Sequence, residues 1–251
     1  MTNLAKVSNI YKSSAVVGFW TLCSRVMGFI RDILFASILG SGAVADAFLL
    51  AFRIPNLFRK FFAEGAFSAA FIPLLTEKNE KYGLQAGVAF TSNIASLLLF
   101  IVIPLIILSE FFMPSIVNFI APGFINDIER LELAIPYARI VFPYLVFIIF
   151  TALFASALNT SGRFWSGAAA PVILNVFLII ALIISMYFDK DTGIIMCWAV
   201  LLAGVFQMLL LGDRTLYTLR RDQRQPLSTV LVDVLVDIDL EQLSFPCHQI
   251  R

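Results

Sequence analysis

The sequence predicts an all-α membrane protein, built as a bundle of six transmembrane helices whose two termini face the cytoplasm. Hydrophobic residues make up 60% of the 251-residue chain and charged residues only 14%, whereas soluble domains are about half apolar and about a quarter charged. The apolar residues are gathered into six long runs. Lys and Arg concentrate in alternate connections between these runs, which is the pattern of a multi-pass protein with a fixed orientation.

The first two spans form a tight hairpin. A span needs about 20 predominantly apolar residues, and the first run covers residues 14–39. Glycines at positions 40 and 42 permit the chain to reverse, and the second span covers residues 43–58. The connection that follows, 59–83, mixes phenylalanine with charged residues, a composition typical of a segment at the membrane surface or in a docking groove.

The remaining four spans contain fewer charged residues. They are predicted over residues 86–108, 134–158, 168–188 and 193–212. The segment 109–132 is predicted to be a loop because it contains Pro114, Pro122 and Gly123. Pro143 lies inside the fourth span and should kink it. Residues 189–191 (DKD) form a charged turn before the sixth span.

The distribution of basic residues orients the bundle with both termini inside. One side receives a large basic set: Lys6, Lys12, Arg59, Lys60, Lys78, Lys81, Arg163, Arg214, Arg220, Arg221 and Arg224. The connections on the other side contain Arg130 and Lys190 among several acidic residues, with Arg139 at the edge of a span.

Two regions are therefore predicted: a six-helix transmembrane lobe over 1–212 and a polar cytoplasmic tail over 213–251. The tail is rich in arginine at its start and in aspartate later, and its periodicity favours neither helix nor strand. It is either a poorly ordered tail or an aberrant, frameshifted C-terminus, and we favour the second interpretation.

Several classes of function are disfavoured by the residue inventory. The chain contains one histidine, His248, and three cysteines without metal-ligand spacing. No nucleophile arrangement, carboxylate pair or phosphate-binding glycine loop indicates an enzyme. We therefore expect no catalytic residues, no cofactor, no metal and no nucleic-acid partner, and the lipid bilayer as the surroundings of the chain.

The hairpin carries charges where a membrane disfavours them. Arg25 and Arg31 lie in the first span and Asp46 in the second, and each such residue costs about 2.5–3.5 kcal/mol on insertion scales. Ionisable residues at this depth usually face a water-filled cavity. Arginine stays charged and its planar fork binds phosphate oxygens in pairs, so the pattern favours binding of an anionic headgroup.

Each of these residues also has a structural interpretation. Helical spacing puts Arg25 and Asp32 on one face, so we interpret Arg25 as a cavity contact and Asp32 as its structural partner. Arg31 suits a cavity contact and an ion pair equally well. Asp46, in the first turns of its helix, suits either a cavity role or compensation of the helix dipole.

Two further charged residues occupy the connection after the second span. Arg59 is first of all a determinant of topology at the membrane interface. Glu64 stands among phenylalanines, four residues after Lys60, and can latch the connection to a helix end. Such a latch would have a gating role.

The same segment closely resembles one known family. The resemblance rests on residues 24–32 (SRVMGFIRD), 45–48 (ADAF), 52–60 (FRIPNLFRK), 62–68 (FAEGAFS) and 70–73 (AFIP), with later matches at 121–124 (APGF), 142–144 (FPY) and 157–160 (ALNT). These motifs are similar to those of the MviN/MurJ family, the bacterial lipid II flippases, over residues 1–211.

The resemblance implies an exporter fold and a cargo. Family members belong to the superfamily of multidrug, oligosaccharidyl-lipid and polysaccharide exporters, and they move the undecaprenyl-pyrophosphate-linked precursor lipid II across the cytoplasmic (inner) membrane. By the same resemblance, Arg25, Arg31 and Asp46 act in substrate binding or transport, with the two arginines contacting pyrophosphate. Arg59 and Glu64 lie in the cytoplasmic connection that rearranges during gating.

The chain departs from the family in length, because members have two six-helix lobes that rock against each other. Only the first lobe is matched, which predicts a truncated N-terminal lobe, or self-association that supplies a second one. The alternatives are a non-transporting fragment or membrane scaffold, and another lipid-linked oligosaccharide exporter of the superfamily.

Overall fold

A computed structural model describes residues 3–64, 66–187 and 191–223, with side chains over 14–60, 67–124, 127–165, 167–187 and 191–215. This part of the chain is helical and contains no strand. The helices are α1 (Asn3–Leu39), α2 (Ala43–Glu64), α3 (Ala66–Tyr82), α4 (Leu84–Ile120), α5 (Ile128–Val141), α6 (Tyr144–Thr160), α7 (Trp165–Ser185) and α8 (Thr192–Gln223), with a 3₁₀ turn over Pro122–Asn126.

The hairpin turn between α1 and α2 is confirmed. Gly40 has a φ of 58°, in the left-handed region that favours glycine, and its amide donates to the Ala36 carbonyl at 3.1 Å. The connection predicted over 59–83 is divided between the end of α2 and the separate helix α3. Phe71 and Leu75 of α3 are buried, and Phe71 stacks on Phe90 of α4 with ring centroids 5.8 Å apart.

The loop predicted over residues 109–132 is wrong in its first half. Helix α4 continues through Pro114 to Ile120. Ser109, Met113 and Val117 follow one another at helical spacing and all three are buried, so the packed face holds the helix together across the proline. A single helix, α4, thus runs from the end of α3 to the turn at residues 122–126.

The predicted fourth span is broken into two helices. Helix α5 ends at Val141 and α6 begins at Tyr144, with a bend of 40° between them. Pro143 occupies the break, as expected from its missing N–H and the clash of its ring with the preceding turn. Helix α5 is consequently a short segment with its own direction.

Three helices are long and apolar enough to cross a membrane: Leu84–Ile120, Gly167–Ser185 and Thr192–Thr215, and the bent α5–α6 pair is a fourth candidate. Within the described residues, α1 and α2 are not among them, since the charged side chains they carry lower their hydropathy. The chain is therefore a helical membrane protein, while six spans and the inside orientation of both termini stay predictions.

Helix α6 is the centre of the bundle. It contacts α2, α3, α4, α7 and α8, and Tyr144, Leu145 and Leu153 are fully buried along it. Gly204 of α8 packs against it, and an added Cβ there would lie 2.4 Å from a ring carbon of Tyr144. The core thus depends on a very close approach between α6 and α8.

The two ends of the bundle contain different residues. The outer end, named from the predicted orientation, contains the 40–42 turn, the Pro122–Asn126 turn and Asp191. The inner end contains Trp165, whose ring lies 6.4 Å from that of Trp20 and 5.8 Å from the Arg214 guanidinium carbon. Tryptophan favours the membrane–water interface, a preference that this cluster of two tryptophans and an arginine would satisfy at a membrane boundary.

The predicted boundary between lobe and tail at 212/213 stays a prediction. Helix α8 continues past Gly212 to Gln223, so it is longer than the sixth span predicted over 193–212. Residues 224–251 lie outside the described part of the chain, as do residues 189–190 of the predicted charged turn.

Candidate functional site

Helix α1 is held to the bundle chiefly by α7. Gly28 of α1 faces Asn175 of α7, whose Nδ2 would lie 3.5 Å from a Cβ at position 28. The small residue allows the two helix backbones to come close, as is common between membrane helices. Much of the remaining surface of α1 is exposed, so its charged residues lie at the edge of the packed bundle.

Arg31 is held by two polar partners. Its Nε and Nη2 donate to Oδ1 of Asp32 at 3.0 and 2.7 Å, and its Nη1 donates to Oδ1 of Asn175 at 2.9 Å. The Asn175 amide also donates from Nδ2 to the Ser24 carbonyl at 3.1 Å. Asn175 is 6% exposed, and this pair of hydrogen bonds settles which way its amide points.

The expectation that Asp32 supports Arg25 is wrong. Asp32 contacts the neighbouring Arg31, because the flexible arginine side chain folds along the helix surface and reaches the adjacent carboxylate. Arg25 is exposed, and among the described residues it has no hydrogen-bond or ion-pair partner. The two arginines of α1 therefore differ: Arg31 is held in place by polar partners, and the Arg25 side chain is exposed.

Asp46 forms an ion pair with a residue of another helix. Nε of Arg130 in α5 donates to Oδ2 of Asp46 at 2.9 Å, and the side chains are 35% and 41% exposed. The Arg130 guanidinium also contacts Asp127, whose Oδ1 caps α5 by accepting from the Arg130 amide at 3.2 Å. Neither the cavity nor the helix dipole alone accounts for Asp46, since it connects α2 with α5.

The two residues predicted to act in gating lie at the inner end of α2. The Nε of Arg59 donates to Oδ1 of Asn56 at 3.0 Å, one helical turn earlier. Glu64 is the last residue of α2, and its side chain lies outside the described part of the structure. Its latching role stays a prediction.

Sequence reasoning missed Asn175 and Arg130, the residues that fix Arg31 and Asp46. Asn175 stands in an apolar run of α7. An asparagine in such a run could have indicated a polar contact with another helix. Arg130 was the informative exception to the positive-inside pattern, a cation on the side where few are found.

Replacing Asn175 by leucine should weaken the contact between α1 and α7 without removing a charge. The change leaves the Arg31 Nη1 and the Ser24 carbonyl without their partner, and hydrogen bonds between membrane helices contribute about 0.6–2 kcal/mol each. We expect a loss of that order in the free energy of unfolding, measured by SDS titration.

The matched control is Thr151→Val in α6. Thr151 is buried, and its hydroxyl donates to the Phe147 carbonyl of its own helix at 2.7 Å, its hydrogen-bond partner within the described part of the chain. A loss for Thr151→Val equal to that for Asn175→Leu would show that the α1–α7 contact contributes nothing particular.

Comparison with known proteins gives consistent matches. The family model described as Lipid II flippase MurJ matches residues 35–233, past the position near Leu211 where the resemblance was expected to end. A probable lipid II flippase MurJ of Rhizobium tropici is 41% identical over 204 residues, covering 80% of this chain and 38% of that protein. The lipid II flippase MurJ of Burkholderia cenocepacia is 38% identical over 201 residues, covering 80% of this chain and 39% of that one.

A solved structure is also similar. It is described as lipid II flippase MurJ in an inward closed conformation, and it matches with a TM-score of 0.64 and 29% sequence identity. The match covers 83% of this chain and 48% of that protein. This chain spans about two fifths of the length of the curated relatives it matches.

Proposed function

Because the chain belongs to the lipid II flippase MurJ family, we propose that it takes part in flipping lipid II across the bacterial cytoplasmic membrane for cell-wall synthesis. Flipping moves a lipid between leaflets without making or breaking a covalent bond, so we propose a transporter rather than an enzyme. The partners in this proposal are the lipid-linked peptidoglycan precursor and the bilayer, with no cofactor.

The observation that carries the proposal is a pair of arginines on one helix, of which Arg31 is held by Asn175 and Arg25 is exposed. With a rise of 1.5 Å per residue, Arg25 is about 8 Å and Arg31 about 16 Å along α1 from Trp20. In this proposal the Trp20–Trp165 pair lies at the inner membrane boundary, and the hydrocarbon core is about 30 Å thick. With that boundary, Arg31 would lie near the middle of the membrane, a depth that is unusual for a charged side chain without a transport role.

The two arginines suit successive contacts with one pyrophosphate group. Arg25 is exposed and free among the described residues, so it can meet an anionic headgroup entering from the inner side. Arg31 is oriented by Asn175 and neutralised by Asp32. A pyrophosphate that reaches Arg31 replaces one carboxylate by two phosphates, each able to accept a bidentate contact from a guanidinium.

The remaining predicted residues take positions around this path in the proposal. Arg59 and Glu64 act at the inner connection, where α2 ends and α3 begins, and they control access from the cytoplasm. The opposite wall of the cavity comes from a second lobe, either in a longer chain or in a second copy of this one. Exposed α1, with its free Arg25, is the surface that this second lobe would face.

Complementation tests the proposal. The chain is expressed in a bacterium depleted of its own flippase, and membrane levels are matched by immunoblot. We expect restored growth that disappears with Arg25→Ala. Absence of growth at a membrane level sufficient for a functional relative would contradict flipping by this chain and would favour a non-transporting scaffold.

A further inference from the structure

We propose that Arg130 is a positioning residue for transport, and that Asp46 acts through its ion pair with Arg130 rather than by touching the cargo. This inference rests on the proposed function and assigns different tasks to the charges of the hairpin. Arg25 and Arg31 meet the lipid, whereas Asp46 and Arg130 hold the outer ends of α2 and α5 together.

The position of Arg130 would be unfavourable without nearby carboxylates. It lies in the first turn of α5, where the positive end of the helix dipole disfavours a cation. Two carboxylates compensate for this: Asp127, from the cap of the same helix, and Asp46, from the first turn of α2. One guanidinium therefore joins the N-terminal ends of two helices.

The interface beneath this pair is built for close packing. Ala47 and Ala51 of α2 are buried, as are Ala134 and Ala138 of α5, and helices α2 and α5 are extensively in contact. Small residues let helix backbones approach closely, but they offer few interlocking side chains to fix the register. The Asp46–Arg130 pair at the outer edge supplies a directional contact that fixes it.

Helix α5 is itself anchored independently of α2. The Tyr137 hydroxyl donates to Oδ1 and Oδ2 of Asp191 at 2.6 and 2.8 Å, and the Gly193 amide donates to the same carboxylate at 2.9 Å. This contact holds α5 to the start of α8. Since the break at Pro143 separates α5 from α6, these polar contacts add directional anchors to the apolar packing that holds α5.

The consequence concerns α1 and its arginines. Asp46 follows closely on the 40–42 turn, so an anchored first turn of α2 fixes the outer end of α1. Phe35 of α1 also packs on Phe48 of α2, with ring centroids 5.9 Å apart. Loss of the ion pair should therefore disturb the placement of Arg31 although neither Asp46 nor Arg130 contacts the lipid.

The test uses the whole chain in lipid nanodiscs and four variants: Asp46→Asn, Arg130→Gln, Arg130→Lys and the charge exchange Asp46→Arg with Arg130→Asp. Two quantities are measured for each: affinity for undecaprenyl pyrophosphate and hydrogen exchange of amides 43–50. The matched control is Glu110→Gln in α4. It removes the 4.0 Å contact between Glu110 and Arg139, which lies in α5 like Arg130.

We expect Asp46→Asn and Arg130→Gln to lower the affinity by a similar factor, about tenfold for the loss of a charge-assisted contact. Both should increase exchange at amides 43–50. Arg130→Lys and the charge exchange should each recover most of the affinity and of the protection, and Glu110→Gln should change neither. The rescue separates a paired charge from general loss of structure.

Two results would overturn the inference. One is wild-type affinity and protection in Arg130→Gln together with lost affinity in Asp46→Asn, which would make Asp46 a direct contact of the lipid. The other is an exchange variant no better than the single changes. If the wild-type chain does not bind the lipid at all, the proposed function fails, and amide exchange still decides whether Arg130 positions α2.

Discussion

Replacing Arg31 by glutamine is expected to weaken binding of undecaprenyl pyrophosphate by about 10- to 100-fold, because hydrogen bonds to charged groups contribute about 1.5–3 kcal/mol. Arg25→Gln should have an effect of the same order. Affinity would be measured by native mass spectrometry or by lipid titration of the chain in nanodiscs. A folded Arg31→Gln variant that binds as tightly as the wild type would contradict a headgroup role for this residue.

Asp32 provides a test of opposite sign. Its carboxylate accepts from both Nε and Nη2 of Arg31 and so competes with an incoming phosphate for the same donors. Asp32→Asn should therefore keep or increase the affinity. The arginine replacements each remove one positive charge, and Lys81→Gln is their matched control. Lys81 is exposed in α3, and its ion-pair partner among the described residues is Glu77, at 2.6 Å.

Replacing Gly204 by alanine is expected to lower the free energy of unfolding by about 1–3 kcal/mol through overpacking. The new Cβ would lie 2.4 and 2.7 Å from two ring carbons of Tyr144. This ring is fully buried, so it can move only by displacing close-packed neighbours. The change can be followed by SDS titration or by thermal unfolding in detergent.

Gly212→Ala in the same helix is the control for Gly204→Ala. A Cβ at position 212 would meet the Phe154 ring at 3.4 Å, an ordinary contact. This variant should be as stable as the wild type or slightly more stable, since alanine favours helix by about 1 kcal/mol over glycine. Equal stability of the two variants would contradict the close packing of α6 against α8.

The helical bundle could be predicted from the sequence because hydrophobic runs and charge asymmetry are strong signals in membrane proteins. The boundaries were harder to predict. Pro114 suggested a loop, yet α4 continues through it because one face of the helix is packed. Pro143 suggested only a kink, yet the chain breaks there into two helices.

The site was partly predictable for a physical reason. Arg25, Arg31 and Asp46 stand out in the sequence because the membrane disfavours charge at their positions. Their partners do not stand out, because Asn175 and Arg130 lie far along the chain and ordinary composition conceals them. Only the fold brings Arg31 to Asn175 and Asp46 to Arg130.

The central claim is that α1 recognises the pyrophosphate of a lipid inside the membrane. The most direct measurement compares the affinity of the chain in nanodiscs for undecaprenyl pyrophosphate and for uncharged undecaprenol. We predict at least about tenfold tighter binding of the pyrophosphate lipid, a preference that disappears when Arg25 and Arg31 are both replaced by glutamine. Equal affinity for the two lipids, or a preference that survives the double replacement, would contradict the claim.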